Sequence, residues 1–272
     1  MPIQHKFIEH NFENGFATNN AILQQTPYKP EVLIIGTFNP NTPNANSADF
    51  FYGRNFLWTG FKRLLNPNYI FNNQRRMPQN GVAQEPFNPT IQEICSLCEN
   101  FKLSFCDLIS EVLHNGNPQF ELLQNDNVIF NGQEFNLIQD NAENGFLGLA
   151  NLNQLNQVHW NTQKIINYLI DNSSIRNIYL TRQPNGIWGI QWNAIVNYFI
   201  NDGQRHFSNI LSPSGRGNIP AINPPFNTPL NKLLHYWVWN GMNHPSEPVN
   251  NPGFGRLDHD WLQRCGVDIN QF

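Results

Sequence analysis

The chain has 272 residues, of which 13% are charged and 13% are aromatic, and its formal net charge at pH 7 is -4. This length predicts one large domain spanning residues 1–272 rather than two ordinary ones, and the aromatic content excludes an intrinsically disordered chain. The negative net charge argues against binding to nucleic acid by long-range electrostatics alone, although a local basic patch is compatible with it.

The cysteines and the hydropathy pattern favour a cytoplasmic protein with reduced thiols. No apolar run is long enough to span a bilayer, and the N-terminus lacks the apolar stretch of a secretory signal. Cys95 and Cys98 form a C-x-x-C pair, a spacing that also occurs in metal and iron-sulfur sites. The two share a helical face with apolar neighbours and no second C-x-x-C follows, so we expect both to pack in the core.

The first strand signal is the continuous apolar run from Glu31 to Ile35, which ends at Gly36. Such a run suits a strand that is covered on both faces. After a polar loop, the apolar spacing between Phe56 and Leu65 predicts a helix. A second helix near residues 90–101 leads into a second strand over residues 102–108.

The second half of the chain repeats this alternation. Residues 115–157 predict loops with one short hairpin around Asn131 and Gly132. The sequence then predicts a helix within 162–173, a strand over 176–181, a helix within 192–202, a strand over 206–211 and a helix within 229–240. The Pro- and Asn-rich region from about 220 to 272 is expected to pack as a C-terminal extension on the same core. Alternating strands and helices imply right-handed crossovers, so the predicted fold class is α/β, a three-layer α/β/α arrangement with a central four-stranded parallel sheet.

Two strand ends carry conspicuous polar loops. The first reads Gly36-Thr37-Phe38-Asn39-Pro40 and is followed by an aromatic cluster with N-x-x-W over residues 51–58; the second reads Ser212-Pro213-Ser214-Gly215. Ligands in open parallel sheets bind beyond the carboxyl ends of the strands, where both loops are expected. The chain has no G-x-x-x-x-G-K and no G-x-G-x-x-G, which argues against an ordinary nucleotide-binding fold.

Together these motifs resemble the two signature motifs of the uracil-DNA glycosylase superfamily, closest to its mismatch-specific and hypoxanthine-type branches. The resemblance covers about residues 30–220. It implies a monofunctional DNA glycosylase of base-excision repair that flips out a deaminated base, such as uracil or hypoxanthine, and hydrolyses its bond to the sugar. It further implies a monomer that acts on DNA with a damaged or mismatched base, without a cofactor or a metal.

Asn39 is the catalytic residue that the resemblance implies. Hydrolysis of an N-glycosidic bond passes through an oxocarbenium-like sugar, and an amide oxygen can orient the attacking water without ionising. An aspartate at position 39 is accordingly expected to keep or raise the rate. Two features leave the assignment open: Asn39-Pro40 could merely start a turn, and the two residues between Gly36 and Asn39 depart from the family's spacing.

The base-binding residues implied by the resemblance are Gly36, Thr37, Phe38, Pro40, Phe51, Tyr52, Asn55 and Asp107. Phe51 or Tyr52 would stack on the extruded base, or be an ordinary core aromatic, while Asn55 would brace the loop against the helix that carries Trp58. Asp107 would face the Watson-Crick edge, and an ionised carboxylate only accepts hydrogen bonds. The alternative is that Asp107 caps a helix over the following residues, 109–113.

The implied DNA-binding residues are Arg182, Ser212, Pro213, Ser214, Gly215, Arg216, Gly217 and Asn218. Small residues let the backbone approach the phosphates beside the lesion, and Arg216 would fill the gap left by the flipped nucleotide. The cations that could build a local patch are Lys62, Arg63, Arg75, Arg76, Arg182, Arg205 and Arg216, each of which could also be an ordinary surface charge. The Ser-Pro-Ser-Gly segment could equally be a plain turn.

Three rival functions stay open. A bifunctional glycosylase with a lyase step needs an amine nucleophile, and neither loop contains a lysine. A member of the same superfamily could bind nucleic acid or nucleotides without cleaving them. A serine hydrolase would need a G-x-S-x-G that the chain lacks. Two further motifs are set aside: Asn243-His244-Pro245-Ser246 follows no strand, and Asp258-His259-Asp260 has no partner at metal-ligand spacing.

Overall fold

The computed structural model describes residues 3–41, 50–52, 56–69, 89–113, 138, 149–154, 156–213, 229–239 and 253–272. Its strands are β1 (Ile3–Gln4), β2 (Glu9–Asn11), β3 (Ala17–Asn19), β4 (Ile22–Gln25), β5 (Val32–Gly36), β6 (Leu103–Asp107), β7 (Ile109–Val112), β8 (Val158–Trp160), β9 (Asn177–Leu180) and β10 (His206–Asn209). Its α-helices are α1 (Phe56–Leu65), α2 (Ile91–Phe101), α3 (Leu149–Gln154), α4 (Thr162–Asp171), α5 (Gly186–Tyr198), α6 (Pro229–Trp239) and α7 (His259–Arg264).

The fold is mixed α/β and is built on one seven-stranded sheet of order β10-β9-β5-β6-β4-β3-β2. Strands β10, β9, β5 and β6 pair in parallel, with Ile35 of β5 in register with Cys106 of β6 and Leu180 of β9. Strands β4, β3 and β2 continue the sheet in antiparallel pairs. The predicted four-stranded parallel sheet is therefore too small, because the N-terminal residues add three short strands that carry no clear apolar alternation.

A second sheet contains three antiparallel strands in the order β1-β7-β8. Ile3 of β1 pairs with Val112 of β7, whose Ile109 pairs with Trp160 of β8. Residues 109–112 are thus a strand, and the alternative in which Asp107 caps a helix at this position is wrong. The apolar residues of this short strand are buried on contact with its two neighbours, which outweighs any local helical preference.

Hydrophobic clusters cover both faces of the large sheet. Val32 and Ile34 of β5 belong to the first cluster, whereas Leu33 and Ile35 belong to the second, as expected for the two faces of one strand. Helices α1, α2, α6 and α7 pack in the first cluster, and α3, α4 and α5 pack in the second. The sheet is thereby held between two layers of helices. No helix in the described part of the chain is long and apolar enough to cross a membrane.

The local sequence determines where helix α2 begins and ends, and this helix leads into strand β6 of the site. Thr90 and Glu93 form a capping box at its start, and Lys102 ends it in the left-handed conformation. Cys95 and Cys98 are buried within it as free thiols, and burial raises the pKa of Cys95 to about 11. The C-x-x-C pair thus packs in the core. The described residues contain no group of three His, Cys, Asp or Glu that could hold a metal ion.

Candidate active site

Three parallel strands end side by side at one edge of the large sheet. Gly36 at the end of β5 is in register with Asp107 at the end of β6, and Thr181 follows β9 directly. The backbone continues the pairing, because Leu108 donates to the carbonyl of Gly36 and Thr181 donates to that of Ile35. Strands β6 and β9 lie on opposite sides of β5 here, the arrangement that leaves a crevice at the carboxyl ends in open α/β sheets.

Asp107 is the centre of this edge and is only 1% exposed. Two side chains bind its Oδ2 atom: the Nε2 atom of His5 lies 2.6 Å away, and the amide Nδ2 of Asn39 donates across 2.5 Å. The backbone N–H of Phe7 donates to Nδ1 of His5 across 3.0 Å, so Nδ1 is an acceptor and the ring proton sits on Nε2. His5 therefore donates to Asp107. Because both ring nitrogens are engaged, His5 has none left to act as a general base.

The second carboxylate oxygen of Asp107 differs sharply from the first. Oδ1 is buried and has no hydrogen-bond partner in the described part of the chain. It lies against Gly36, since a Cβ added to that glycine would stand 2.1 Å from Oδ1 and 2.6 Å from the hydroxyl of Tyr52. A buried acceptor without a donor is unfavourable in a resting protein. Oδ1 is thus a buried acceptor for which no described residue supplies a hydrogen bond.

The N-terminal segment holds the loop that contains Asn39. The backbone N–H of Lys6 donates to the carbonyl of Asn39, and that of Asn41 donates to the carbonyl of Gln4. His5 in turn donates its backbone N–H to the carbonyl of Ser110 across 2.7 Å. The residues Thr37, Phe38, Asn39 and Pro40 are all half-buried. The loop after β5 is therefore fixed between the N-terminal segment and the chain that leaves β6.

The two aromatic candidates occupy different environments. Phe51 is fully buried, with its ring 6.0 Å from that of Phe105 in a stacked geometry. Tyr52 is half-buried, and its hydroxyl lies 3.1 Å from Oγ1 of Thr181. Thr181 uses its one hydroxyl proton on the carbonyl of Ile35, so Tyr52 is the donor in that pair. Of the two, Tyr52 is therefore the one that is only half-buried, and its hydroxyl lies beside Gly36 and Thr181.

Buried tryptophans anchor both loops from the helix layer. The indole N–H of Trp58 in α1 donates to the carbonyl of Phe51 across 2.7 Å, and that of Trp237 in α6 donates to the carbonyl of Leu211 across 2.9 Å. The backbone N–H of Phe56 also donates to the carbonyl of Pro213. The loop after β10 thus adjoins the start of α1, which follows the aromatic loop. The described beginning of the second motif, Ser212 and Pro213, therefore lies near the aromatic part of the first.

Several predicted site residues lie outside the described residues. They are Asn55, Ser214, Gly215, Arg216, Gly217 and Asn218, together with Arg75, Arg76, the hairpin around Asn131 and the motif over residues 243–246. Of the second loop, Ser212 is half-buried and Pro213 is buried. The described geometry therefore bears on the first loop, on Asp107 and on the beginning of the second loop.

Three of the candidate cations that the structure describes lie in different parts of the fold. Arg182 follows Thr181 at the site edge, and its guanidinium lies 4.6 Å from the centre of the Trp188 ring. Arg205 precedes β10 at the opposite edge, where it pairs with Asp202. Lys62 in α1 lies over the ring of Tyr69. Of these three, only Arg182 stands beside the strand ends that carry the site.

The segment from Asp258 to Asp260 has a structural role in the C-terminal region. The side chain of Asp258 caps α7 by accepting from the backbone N–H of Trp261, and Nε2 of His259 lies 2.6 Å from the carbonyl of Val238. Asp260 is exposed. These contacts explain the motif without a metal.

Sequence reasoning missed two members of the site. His5 belongs to an N-terminal segment whose neighbouring strand β1 has two residues, too short for any periodic signal. Thr181 is the last residue of the strand predicted over 176–181, so its position at the carboxyl end of that strand was the available signal. Comparisons with protein-family models, curated proteins and solved structures find no match for this chain. Any assignment of function therefore rests on the residues and geometry of the site.

Proposed function

We propose that the chain is a monofunctional DNA glycosylase that hydrolyses the bond between a flipped-out deaminated base and its sugar. The observation that carries the proposal is the pair formed by Asn39 and Asp107 at the ends of adjacent parallel strands. The proposed architecture is that of the uracil-DNA glycosylase superfamily, with strands β10, β9, β5 and β6 as the central parallel part of the sheet. The proposed substrate is DNA, and no cofactor is needed for the reaction.

The orientation of the Asn39 side chain supports a role in positioning water. An ionised Asp107 can only accept hydrogen bonds, so Asn39 must turn its amide nitrogen toward it. The amide oxygen then lies on the other side of the planar group, away from Asp107. From there it can accept a hydrogen bond from the attacking water and direct the water oxygen to the C1′ atom of the sugar. The water oxygen bonds to C1′ and releases one proton to solvent, while the base leaves with the electrons of the glycosidic bond and takes up a proton from solvent.

Asp107 and Tyr52 supply complementary contacts for the extruded base. The unsatisfied Oδ1 of Asp107 can accept an N–H from the base edge, and the low exposure of Asp107 strengthens that bond by excluding water. The ring of Tyr52, which is half-buried and whose hydroxyl lies beside Gly36, is the proposed stacking partner of the base. Stacking on one base contributes on the order of 1 to 3 kcal/mol. A base that binds Oδ1 would displace the Tyr52 hydroxyl and break its hydrogen bond with Thr181.

One observation favours a second candidate function, a glycosylase with a lyase step. Lys6 lies next to the site, because its backbone binds the carbonyl of Asn39, although neither predicted loop contains a lysine. Its ammonium group stands 5.6 Å from the centre of the Phe7 ring. Borohydride treatment during turnover distinguishes the two functions: a lyase is trapped on the DNA through a reduced amine linkage, whereas a monofunctional enzyme is released.

The test of the main proposal is a panel of duplexes that each contain one uracil, hypoxanthine, xanthine or mismatched thymine. The parent chain is expected to release at least one of these bases under single-turnover conditions. Asn39→Ala should lower that rate by roughly 10² to 10⁴, with little change in DNA affinity. Asn167→Ala is the control, because the side chain of Asn167 bonds to Gln163 on the exposed surface of α4. Absence of release by the parent, or full activity of Asn39→Ala, would refute the proposal.

A further inference from the structure

We propose that His5 is a positioning residue that fixes the hydrogen-bond polarity of Asp107, and that the site thereby selects bases with a ring N–H. This inference rests on the proposed glycosylase function and names its substrate class. Deamination introduces such an N–H into both pyrimidines and purines, so one acceptor atom would serve for uracil and for hypoxanthine.

The polarity of Asp107 follows from the chain of donors on its Oδ2 atom. Phe7 donates its backbone N–H to Nδ1 of His5, which leaves Nε2 as the only protonated nitrogen of a neutral ring. His5 and Asn39 then both donate to Oδ2, at 2.6 and 2.5 Å. Within the described residues no donor reaches Oδ1, which remains an acceptor at the buried side of Gly36. The backbone of the N-terminal segment thus determines, through His5, what Asp107 presents to a ligand.

The chemistry of deamination matches this polarity. Adenine carries a lone pair at N1 and cytosine carries one at N3, and both nitrogens are hydrogen-bond acceptors. Their deaminated products, hypoxanthine and uracil, carry N–H groups at the same ring positions. A carboxylate oxygen opposite this ring position attracts the N–H and repels the lone pair. The exocyclic amines of adenine and cytosine also donate, but they stand one position along the edge, and attachment to the sugar fixes where each atom lies.

Asp107→Asn tests the polarity directly. An asparagine here still faces two donors, so its carbonyl oxygen should turn to His5 and Asn39 and its NH₂ group should turn to Gly36. The site would then offer a donor in place of an acceptor. We expect the ratio of single-turnover rates on uracil and cytosine duplexes to fall by about 10- to 100-fold, the value of one hydrogen bond to a charged group. The ratio of the single-turnover rates on hypoxanthine and adenine duplexes should fall by a similar factor.

His5 is tested with a conservative and a disruptive variant. His5→Phe removes the N–H that holds Oδ2, so Asp107 can turn either oxygen toward the base, and the uracil-to-cytosine ratio should fall about tenfold. His5→Gln keeps an N–H at a similar reach and should restore most of the ratio. The matched control is His159→Phe, because His159 pairs with Glu111 at 2.7 Å on the exposed face of the small sheet. Damage to folding alone lowers both rates together and leaves the ratio unchanged.

The outcomes separate this inference from the proposed function. Falling ratios in Asp107→Asn and His5→Phe, with recovery in His5→Gln, support the inference. If the parent releases uracil or hypoxanthine and no variant changes a ratio, the inference is overturned and the glycosylase function stands. If the parent releases no base from any duplex, both are overturned. A parent that releases cytosine or adenine as readily as their deaminated forms also overturns the inference.

Discussion

Gly36 and Asp107 face each other in register at the ends of two parallel strands, and the space where a Cβ of Gly36 would lie is filled by the carboxylate of Asp107. The backbone of Gly36 is that of an ordinary strand residue. Its lack of a side chain is therefore required by the close approach of Asp107 and Tyr52, not by an unusual backbone conformation.

Replacement of Gly36 by alanine should inactivate the site while leaving the fold in place. The added methyl would stand 2.1 Å from Oδ1 of Asp107 and 2.6 Å from the Tyr52 hydroxyl, so both side chains must move. Displacement of reacting groups by about 1 Å lowers rates by about 100-fold. Single-turnover release of uracil measures the effect. Gly203→Ala is the control, since it strains a turn with a φ of +61° away from the site and should reduce stability without reducing the rate of folded enzyme.

Asn39→Asp is now expected to lose activity at neutral pH, which reverses the expectation drawn from the sequence. The amide of Asn39 lies 2.5 Å from Oδ2 of Asp107, so an aspartate there would place two carboxylates in direct contact. Like charges at this distance force the pair to share a proton. The shared proton is lost as pH rises, and repulsion then disrupts the site. Rate against pH should decline toward alkaline pH in the variant and not in the parent; parallel profiles would show that the two groups do not interact.

Trp237→Phe should weaken DNA binding more than its effect on stability explains. The variant loses the hydrogen bond from the indole N–H to the carbonyl of Leu211, which holds the start of the second loop. Loss of a buried hydrogen bond costs about 1 to 3 kcal/mol. Trp261→Phe provides the matched comparison, because it loses an equivalent bond to Phe101 at the other end of the sheet. Equal DNA affinities for the two folded variants would show that the second loop is not part of the DNA interface.

The free energy of unfolding should decrease between pH 10 and pH 12 in part through Tyr168. Burial raises the pKa of this phenol to about 12, although its hydrogen bond with Ser104 opposes the shift. In the unfolded chain the phenol ionises near its ordinary pKa of about 10. The folded state thus holds the proton that the unfolded state releases, and stability falls as pH rises through this interval. Urea titrations across this pH interval should show that the free energy of unfolding declines less steeply with pH in Tyr168→Phe than in the parent. An identical decline in the two proteins would contradict the assignment.

The parts of the fold with strong local patterns were predictable. The run from Val32 to Gly36 has every residue buried, and its continuous apolar character already indicated a strand covered on both faces. Strand β2 was not predictable, because all three of its residues are exposed and its existence depends on pairing with β3. Helix α5 begins at Gly186, six residues before the predicted start at Trp192, because Trp188 at its beginning is buried against the sheet.

The candidate site also contains residues that were predictable from the sequence and residues that were not. Asn39 and Asp107 stand at strand ends, so a strand pattern together with the motif resemblance was enough to select them. Their direct hydrogen bond was not predictable, and it changes the chemistry expected of position 39. His5 gave no signal, because its role comes from a contact with a residue 102 positions away. Contacts of that kind depend on how the strands are ordered, which local sequence does not encode.

The polar contacts of the site also constrain the order of folding. The bonds from Asn39 to Asp107, from His5 to Asp107 and between Tyr52 and Thr181 join residues 68, 102 and 129 positions apart. Loops of this length lose considerable entropy on closure, and no local structure stabilises their ends before the strands have paired. The site is thus completed only when the parallel strands have assembled. A break in the backbone between residues 52 and 107 would open all three of these loops, so every group in the site would depend on reassembly of the two fragments.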